Sequence, residues 1–264
     1  MPKTLKLVSI PESSYNIDRI VDIIEEEKSE HPMLVVLPEY FYTKQKTKLN
    51  ERDREVGKAL RVENGKVVAD DPTVKSDMKK LVKAARKNNA HIFFSGTERI
   101  GKRSFPTSGF IVTPSEKEPS VAVVRRKIME SGRMGAHSIK TVKVAGFNVL
   151  PLICEDVRAV YWGNFRTPSK TRLKDVDVIA VSAHNYVRGG STRSNLKNAY
   201  EDVKKNVKMA KRAALVMADS ATHAARWLLP WKKKDNPDGI YTPGKKSEWK
   251  EHKGVSYFTH IHRK

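Results

Sequence analysis

Apolar residues in this chain form short runs that alternate with longer amphipathic stretches. The short runs are rich in β-branched residues and end at polar positions, which predicts buried strands. The predicted strands span residues 4–10, 33–37, 91–95, 176–182, 214–218 and 255–262. Residues 17–30, 72–89 and 194–212 have helical spacing instead, with Asp71 placed to cap the second helix. Alternating strands and helices predict an α/β fold.

Hairpins and polar stretches complete the pattern. Residues 108–113 and 121–125 flank a polar turn, and residues 142–153 contain a second antiparallel pair. Residues 42–68 are polar and lysine-rich, which predicts an active-site loop with a short helix. Residues 231–254 are rich in Lys, Gly and Pro, which predicts a mobile basic loop.

Three predicted strands deliver reactive side chains to their ends. The run 33–37 leads through a proline to Glu39, the run 121–125 leads to Lys127, and a third run ends at Cys154. Open α/β sheets bind ligands outside the carboxyl ends of their strands. We therefore expect a carboxylate, an ammonium group and a thiol to meet at one rim of a sheet.

Composition narrows the class of protein. The one cysteine among 264 residues excludes an intrachain disulfide and suits a reducing compartment, so a cytoplasmic location is expected. No apolar run has the ~20 residues of a membrane span, and residues 1–264 show no linker, which predicts a single domain. The formal charge of +21 is interpreted first as a well-solvated basic surface; the alternative is attraction to nucleic acid, to anionic lipid or to an anionic substrate.

The strand-end motifs resemble those of the nitrilase superfamily of carbon–nitrogen hydrolases. They are Leu37-Pro38-Glu39, Arg126-Lys127-Ile128 and Ile153-Cys154-Glu155-Asp156. The turn Gly96-Thr97-Glu98-Arg99 resembles a further element of that family. The resemblance implies a four-layer αββα sandwich, a homodimer or higher homo-oligomer formed through the helices beside the cysteine, and no cofactor or metal.

The resemblance also implies a role for each residue of the triad. Cys154 is the expected nucleophile, activated by Glu39 as general base. Lys127 and the Glu155 backbone N–H are expected to stabilise the oxyanion. Asp156 and Arg158 are expected to form an ion pair that supports the turn.

The sequence departs from the family pattern in two places. The family's second glutamate has only one counterpart here, Glu130, which lies closer to Lys127 than is usual. Residues 220–227 replace a turn of small residues, which indicates an atypical substrate or a lost activity. Polar and aromatic residues near the strand ends are candidates for the substrate pocket. They are Tyr40, Tyr42, Tyr161, Trp162, Asn185 and Tyr186.

These features predict a thiol hydrolase that cleaves a non-peptide C–N bond, with an amide or carbamoyl amide favoured over a nitrile. One alternative is an inactive scaffold of the same fold that binds nucleic acid through its basic surface. Another is an acyltransferase or an ammonia-supplying domain. The strand containing His260 and His262 is interpreted as having a polar face rather than a metal site.

Overall fold

A computed structural model describes the chain over most of its length. The described residues are 3–12, 16–39, 41, 59–100, 106–115, 120–126, 129–130, 133–134, 139–154, 156–161, 173, 175–183, 192–219 and 239–264. The helices are α1 (Ile17–Glu26), α2 (Pro72–Lys87), α3 (Asp156–Tyr161) and α4 (Thr192–Asn206). The strands are β1 (Thr4–Ser9), β2 (Met33–Val36), β3 (Leu60–Glu63), β4 (Lys66–Ala69), β5 (Ala90–Arg99), β6 (Thr107–Val112), β7 (Val121–Arg126), β8 (Met129–Glu130), β9 (Arg133–Met134), β10 (Val142–Val144), β11 (Phe147–Ile153), β12 (Val176–Ala183), β13 (Met209–Asp219), β14 (Gly239–Tyr241), β15 (Glu248–His252) and β16 (Val255–Arg263).

Two mixed sheets form the centre of the molecule. The larger sheet has the order β15-β16-β1-β2-β5-β3-β4, with β6 and β7 continuing from β5, and β1, β2 and β5 are parallel. The smaller sheet has the order β10-β11-β12-β13-β14, with β11, β12 and β13 parallel. Because the central strands of each sheet are parallel, each sheet gathers several carboxyl ends at one edge.

Three apolar clusters divide the molecule into four layers. One cluster packs α1 and α2 against the outer face of the larger sheet, and a second packs α3 and α4 against the smaller sheet. The third joins the inner faces, with Leu7, Val36 and Phe93 opposite Val178 and Val216. The predicted α/β fold with four αββα layers is confirmed.

Most predicted elements are present, and the Asp71 cap is confirmed by a 3.0 Å hydrogen bond from the Val74 N–H to its carboxylate. The hairpin of β3 and β4 was missed, because the polar stretch was interpreted as loop. Its turn is Asn64-Gly65, with both φ angles positive, a strong hairpin signal. The loop predicted for residues 231–254 is wrong from residue 239 onward, where β14 and β15 lie; residues 231–238 are outside the described part.

Two helices are shorter than their apolar periodicity predicts. Helix α1 ends at Glu26 rather than at residue 30, and α4 ends at Asn206 rather than at residue 212. The residues after α4 have good helix propensity, yet they join β13 beside β12. Pairing within the sheet therefore overrides local propensity there.

A buried carboxylate ties the end of α1 to the larger sheet. The side chain of Glu27 is 1 % exposed, with the Lys6 Nζ 2.5 Å from Oε2 and the Lys250 Nζ 2.6 Å from Oε1. The Tyr257 hydroxyl donates to Oε1 at 2.9 Å. Burial alone would raise the pKa of Glu27, but hydrogen bonds from Lys250, Lys6 and Tyr257 outweigh burial and hold the pKa below its usual value.

We predict that Glu27→Gln lowers the free energy of unfolding at pH 7 by about 3 kcal/mol, because two lysines lose their buried counter-charge. A carboxylate with a lowered folded-state pKa stabilises the protein above its unfolded-state pKa, and this stabilisation is lost as the pH falls through the folded-state value. The difference between wild type and variant should therefore narrow below about pH 4.5. Urea unfolding across pH measures it. Glu30→Gln, at a side chain that is 85 % exposed, is the control. An equal effect of both substitutions would contradict the prediction.

Candidate active site

Glu39 and Cys154 are held by neighbouring residues of one strand. The Glu39 N–H donates to the Ala183 carbonyl oxygen at 3.0 Å, and the Cys154 N–H donates to the Ser182 carbonyl oxygen at 3.0 Å. Ser182 and Ala183 end β12 in the smaller sheet, whereas Glu39 follows β2 in the larger one. The structure therefore brings the predicted base and the predicted nucleophile to the same end of the sandwich, one from each sheet.

Two buried hydroxyl contacts fasten the sheets near this end. The Ser95 and Ser182 hydroxyl oxygens are 2.8 Å apart, and the Ser9 hydroxyl donates to the Met217 carbonyl oxygen at 2.5 Å. All four residues lie in the carboxyl-terminal halves of their strands. Polar contacts therefore join the two sheets near the candidate site, whereas apolar side chains join them along the rest of the strands.

Cys154 occupies a sharp turn between β11 and α3. Its φ of 44° lies in the left-handed region, which non-glycine residues rarely adopt, and the residue is only 5 % exposed. The Asp156 carboxylate accepts a 3.1 Å hydrogen bond from the Ile153 N–H, and the Val157 N–H donates to the Cys154 carbonyl oxygen at 3.2 Å. These bonds hold the thiol-bearing residue on a constrained backbone just before a helix.

Glu39 lies in a segment that continues to follow β5 after β2 ends. The Leu37 N–H donates to the Phe93 carbonyl oxygen at 2.8 Å, and the Phe41 N–H donates to the Ser95 carbonyl oxygen at 3.1 Å. Glu39 is 2 % exposed. The carboxylate is therefore held within the fold rather than ending a strand in solvent.

Several further acidic residues are buried at this end of the sandwich. Glu12 follows β1, Glu98 lies near the end of β5, and Asp219 ends β13; their exposures are 7 %, 1 % and 0 %. The Ser108 hydroxyl donates to the Glu98 carboxylate at 2.6 Å. Sequence reasoning assigned none of these three to the site. Only Glu98 had a signal, through its place in the Gly96–Arg99 motif.

The other predicted site residues are described only in part. Tyr161 ends α3, and the Lys205 Nζ lies 4.1 Å from its ring centroid in the outer helical layer. Arg158 lies in α3 and Glu130 in β8, but their side chains are outside the described part, as is the predicted Asp156–Arg158 ion pair. The remaining candidates lie wholly outside the described residues: Tyr40, Tyr42, Lys127, Glu155, Trp162, Asn185 and Tyr186.

The described residues contain neither a cluster suited to a metal ion nor a helix suited to a membrane. No group of three or more His, Cys, Asp or Glu residues in the described ranges is arranged to hold a metal ion. Among the helices of those ranges, none is both long and apolar enough to cross a membrane.

Comparison with known proteins identifies the fold. No family model matches the sequence, and no curated protein matches it. Among solved structures, Nit3 of Saccharomyces cerevisiae, a nitrilase-superfamily member, matches at a TM-score of 0.59 and 13 % identity over 99 % of this chain and 90 % of that one. The chain has the nitrilase-superfamily fold.

Two bacterial structures give the same result. A variant of the amidase from Nesterenkonia sp. AN1, in complex with acrylamide, matches at a TM-score of 0.57 and 12 % identity, over 98 % of this chain and 90 % of that one. XC1258 of Xanthomonas campestris, a CN-hydrolase superfamily protein, matches at 0.52 and 17 %, over 83 % and 76 %. The predicted resemblance is confirmed as a likeness of fold.

We predict that Cys154→Gly is more stable than Cys154→Ala by about 1 kcal/mol, because glycine adopts a left-handed φ without the clash of a β-carbon. Both variants lose the thiol, so their difference isolates the backbone constraint at the turn. Thermal and urea unfolding of the two proteins measures it. An alanine variant as stable as the glycine variant would show that the left-handed backbone is not retained.

Proposed function

We propose that this protein is a cofactor-free thiol hydrolase that cleaves a non-peptide C–N bond. The observation that carries the proposal is the pairing of Glu39 and Cys154 through adjacent carbonyl groups of β12. Both residues are buried, and Cys154 lies on a constrained turn, which suits a nucleophile that a neighbouring carboxylate activates. The fold shared with amidases of the superfamily supports this reaction class.

The chemistry proceeds in two steps. Glu39 accepts the thiol proton as the Cys154 Sγ bonds to the carbonyl carbon, and it gives that proton to the nitrogen as the C–N bond breaks. The amine leaves and a thioester remains on Cys154. Glu39 then takes a proton from a water molecule as the water oxygen attacks the thioester carbon. The C–S bond breaks, the acid leaves, and Glu39 returns the proton to the Cys154 sulfur.

Lys127 and the Glu155 backbone N–H are proposed to stabilise the oxyanion of each tetrahedral intermediate. The backbone supports this role for Lys127, because β7 ends at Arg126, immediately before it. A fixed positive charge beside the thiol would also lower the pKa of Cys154 from the ~8.5 of a free cysteine. Loss of one oxyanion donor typically costs ~10²–10³ in kcat.

The proposed substrate is an amide or carbamoyl amide, and the basic surface favours an anionic one. Tyr40, Tyr42, Trp162, Asn185 and Tyr186 remain candidates for its pocket, with Tyr161 at the edge of α3 and Glu130 as an orienting acid. The related Nesterenkonia amidase has been captured with acrylamide and with butyramide, which makes small aliphatic amides sensible first probes. A homodimer formed through the layer of α3 and α4 is proposed as the assembly.

We predict that Cys154 reacts with iodoacetamide with an apparent pKa below ~8.5, and that Lys127→Ala raises this pKa. Lys143→Ala removes an exposed lysine from β10 and should leave the pKa unchanged. Rates of alkylation from pH 5 to 10, followed by mass spectrometry, measure both. A thiol that titrates like free cysteine in all three proteins would overturn the activated-nucleophile proposal.

We predict that the wild type releases ammonia from at least one small amide, and that Cys154→Ala and Glu39→Gln each lower kcat/KM by at least ~10³ because each removes a partner in bond exchange. Glu30→Gln, at an exposed carboxylate, should retain wild-type activity. Ammonia release across a panel of amides and carbamoyl amides is the measurement. A reactive Cys154 without turnover of any amide in the panel would contradict hydrolysis and favour transfer to an acceptor other than water.

A further inference from the structure

A cleft of about 290 Å³ opens at the end of the sandwich opposite Cys154. Its walls include Lys211, Arg212, Thr242, Lys245, His262 and Arg263. These residues come from the start of β13, the turn between β14 and β15, and the end of β16. The amino ends of β1 and β12 lie beside it, since Thr4 pairs with Arg263 and the Lys264 Nζ lies 2.8 Å from the Asp177 carboxylate.

The cleft is separate from the candidate active site. The cleft residues Lys211 and Arg212 come before Ala214 in β13. Ala214 is itself five residues from Asp219, a distance of about 17 Å at ~3.3 Å per residue, so the cleft residues lie further away still. Asp219 pairs with Ala183, the residue whose carbonyl group holds Glu39. A ligand in the cleft therefore lies too far from Cys154 to be its substrate.

An irregularity in β13 supplies two of the cationic residues. Val176 pairs with Met209 and Val178 pairs with Ala214, so a two-residue step on β12 faces a five-residue step on β13. The extra residues form a bulge that contains Lys211 and Arg212, both exposed. Bulges re-aim side chains out of the sheet, and they are common near functional sites.

A tight turn fixes the opposite wall. The Lys245 N–H donates to the Thr242 carbonyl oxygen at 3.0 Å across Pro243-Gly244. Gly244 has a φ of +72°, so proline and glycine stand at the two central positions that a type II turn favours. The turn holds Lys245 across the cleft from the bulge.

The charge in the cleft is unbalanced. Lys211, Arg212, Lys245 and Arg263 form no salt bridge with any carboxylate of the described residues, and none of the described residues that line the cleft is acidic. The nearest described acid on β12, Asp177, is already paired with Lys264. Four uncompensated cations around one concave surface favour a bound anion.

A buried polar atom also lacks a partner here. Thr242 is 7 % exposed, yet its hydroxyl Oγ1 makes no hydrogen bond within the described part of the chain. A buried hydroxyl that finds no partner costs stability, so each such group in a native protein needs an explanation, and a bound ion beside it is one. Because Thr242 lines the cleft, an anion there could accept its hydrogen.

An exposed aromatic side chain lies on the same sheet but away from the cleft, level with Ser9 at the carboxyl end of β1, because both residues pair with Phe258. Trp249 in β15 is 57 % exposed and pairs with Phe258 of β16. Directly paired residues share a face, as do alternate residues of one strand, so Trp249 lies on the face that contains His262. The two are about 13 Å apart along the strand direction at ~3.3 Å per residue.

We propose that this cleft, together with Trp249, binds single-stranded nucleic acid, with the cations on backbone phosphates and the indole stacked on a base. Cations that contact the backbone phosphates, together with an aromatic ring that a base further along the strand can reach, are the usual parts of such a site. The net charge of +21 supports long-range attraction of a polyanion. Burial lowers the pKa of His262 to about 4, so this histidine adds no charge to the site at neutral pH.

Fluorescence anisotropy of a fluorescein-labelled dT20 strand, measured at several KCl concentrations, tests the proposal. Lys211→Ala/Lys245→Ala should weaken binding at least 10-fold and reduce the slope of log K against log[KCl] by about 1.4, at ~0.7 per phosphate contact on a single strand. Lys79→Ala/Lys83→Ala removes the same charge from exposed positions on α2 and should change the affinity less than 2-fold. Equal effects of the two double variants would overturn the proposal, because binding would then report net charge alone.

Two further variants separate the features of the site. Trp249→Ala should weaken dT20 binding about 10-fold with no change in the salt slope, because stacking carries no charge.

Thr242→Val should weaken dT20 binding a few-fold while leaving thermal stability unchanged or raised, because the lone buried hydroxyl is removed. Two results together would overturn nucleic-acid binding and show a site for free phosphate. Trp249→Ala would bind dT20 like wild type, and pyrophosphate would displace dT20 when both supply the same concentration of phosphate groups. Cys154→Ala should bind dT20 like wild type, so this test is independent of the hydrolase.

Discussion

The face-to-face packing of two sheets is the constraint on which the site depends. Residues such as Leu7 and Val36 on one sheet and Val178 and Val216 on the other form a closely packed apolar interface. A strand that slipped by one residue would turn its apolar side chains away from this interface. The position of β2 over β12 in the facing sheet, and with it the position of Glu39 relative to Cys154, is therefore fixed by burial along the strands.

The polar contacts at the carboxyl ends refine that position. Apolar packing is non-directional, whereas the contact between the Ser95 and Ser182 hydroxyl groups is satisfied only over a narrow range of distance and angle. A buried hydroxyl that loses its partner costs ~1–3 kcal/mol. Such contacts oppose small shifts of one sheet over the other. The backbone constraint at Cys154 is tolerated for the same reason, because β11 and the Asp156 carboxylate hold the turn from both sides.

The sequence predicted those parts of the fold that short-range patterns encode. Apolar runs located the central strands, and Asp71 located the start of α2. The Asn64-Gly65 turn had a clear signal that was outweighed by the polar composition around it. By contrast, β14 has three residues and β15 has one apolar residue, Trp249, and both strands gain their partners from β13 and β16, so local pattern could not reveal them.

The site was predictable to a similar extent. Glu39 and Cys154 were predicted because each follows a buried strand and has a reactive side chain. The contacts that join the two sheets beside them were not predictable, since one of them links Ser9 to Met217, 208 positions away. The buried Glu98 and the bulge around Lys211 depend on pairing registers that a single sequence does not show. Long-range register is the part of the fold that only the structure supplies.

Parallel central strands separate the sandwich into a carboxyl end and an amino end, and the two ends differ in charge. In each sheet the central strands are parallel, so all their carboxyl ends lie on one side and all their amino ends on the other. Buried acids such as Glu12, Glu39 and Asp219 gather at the carboxyl end, whereas the bulge in β13 and the end of β16 gather cations at the amino end. A carboxylate among those cations would weaken their attraction for an anion, and cations among the buried acids would hold those carboxylates in the charged form. Placing the two groups at opposite ends of the strands separates them by about 17 Å or more, which keeps the electrostatic coupling between them weak.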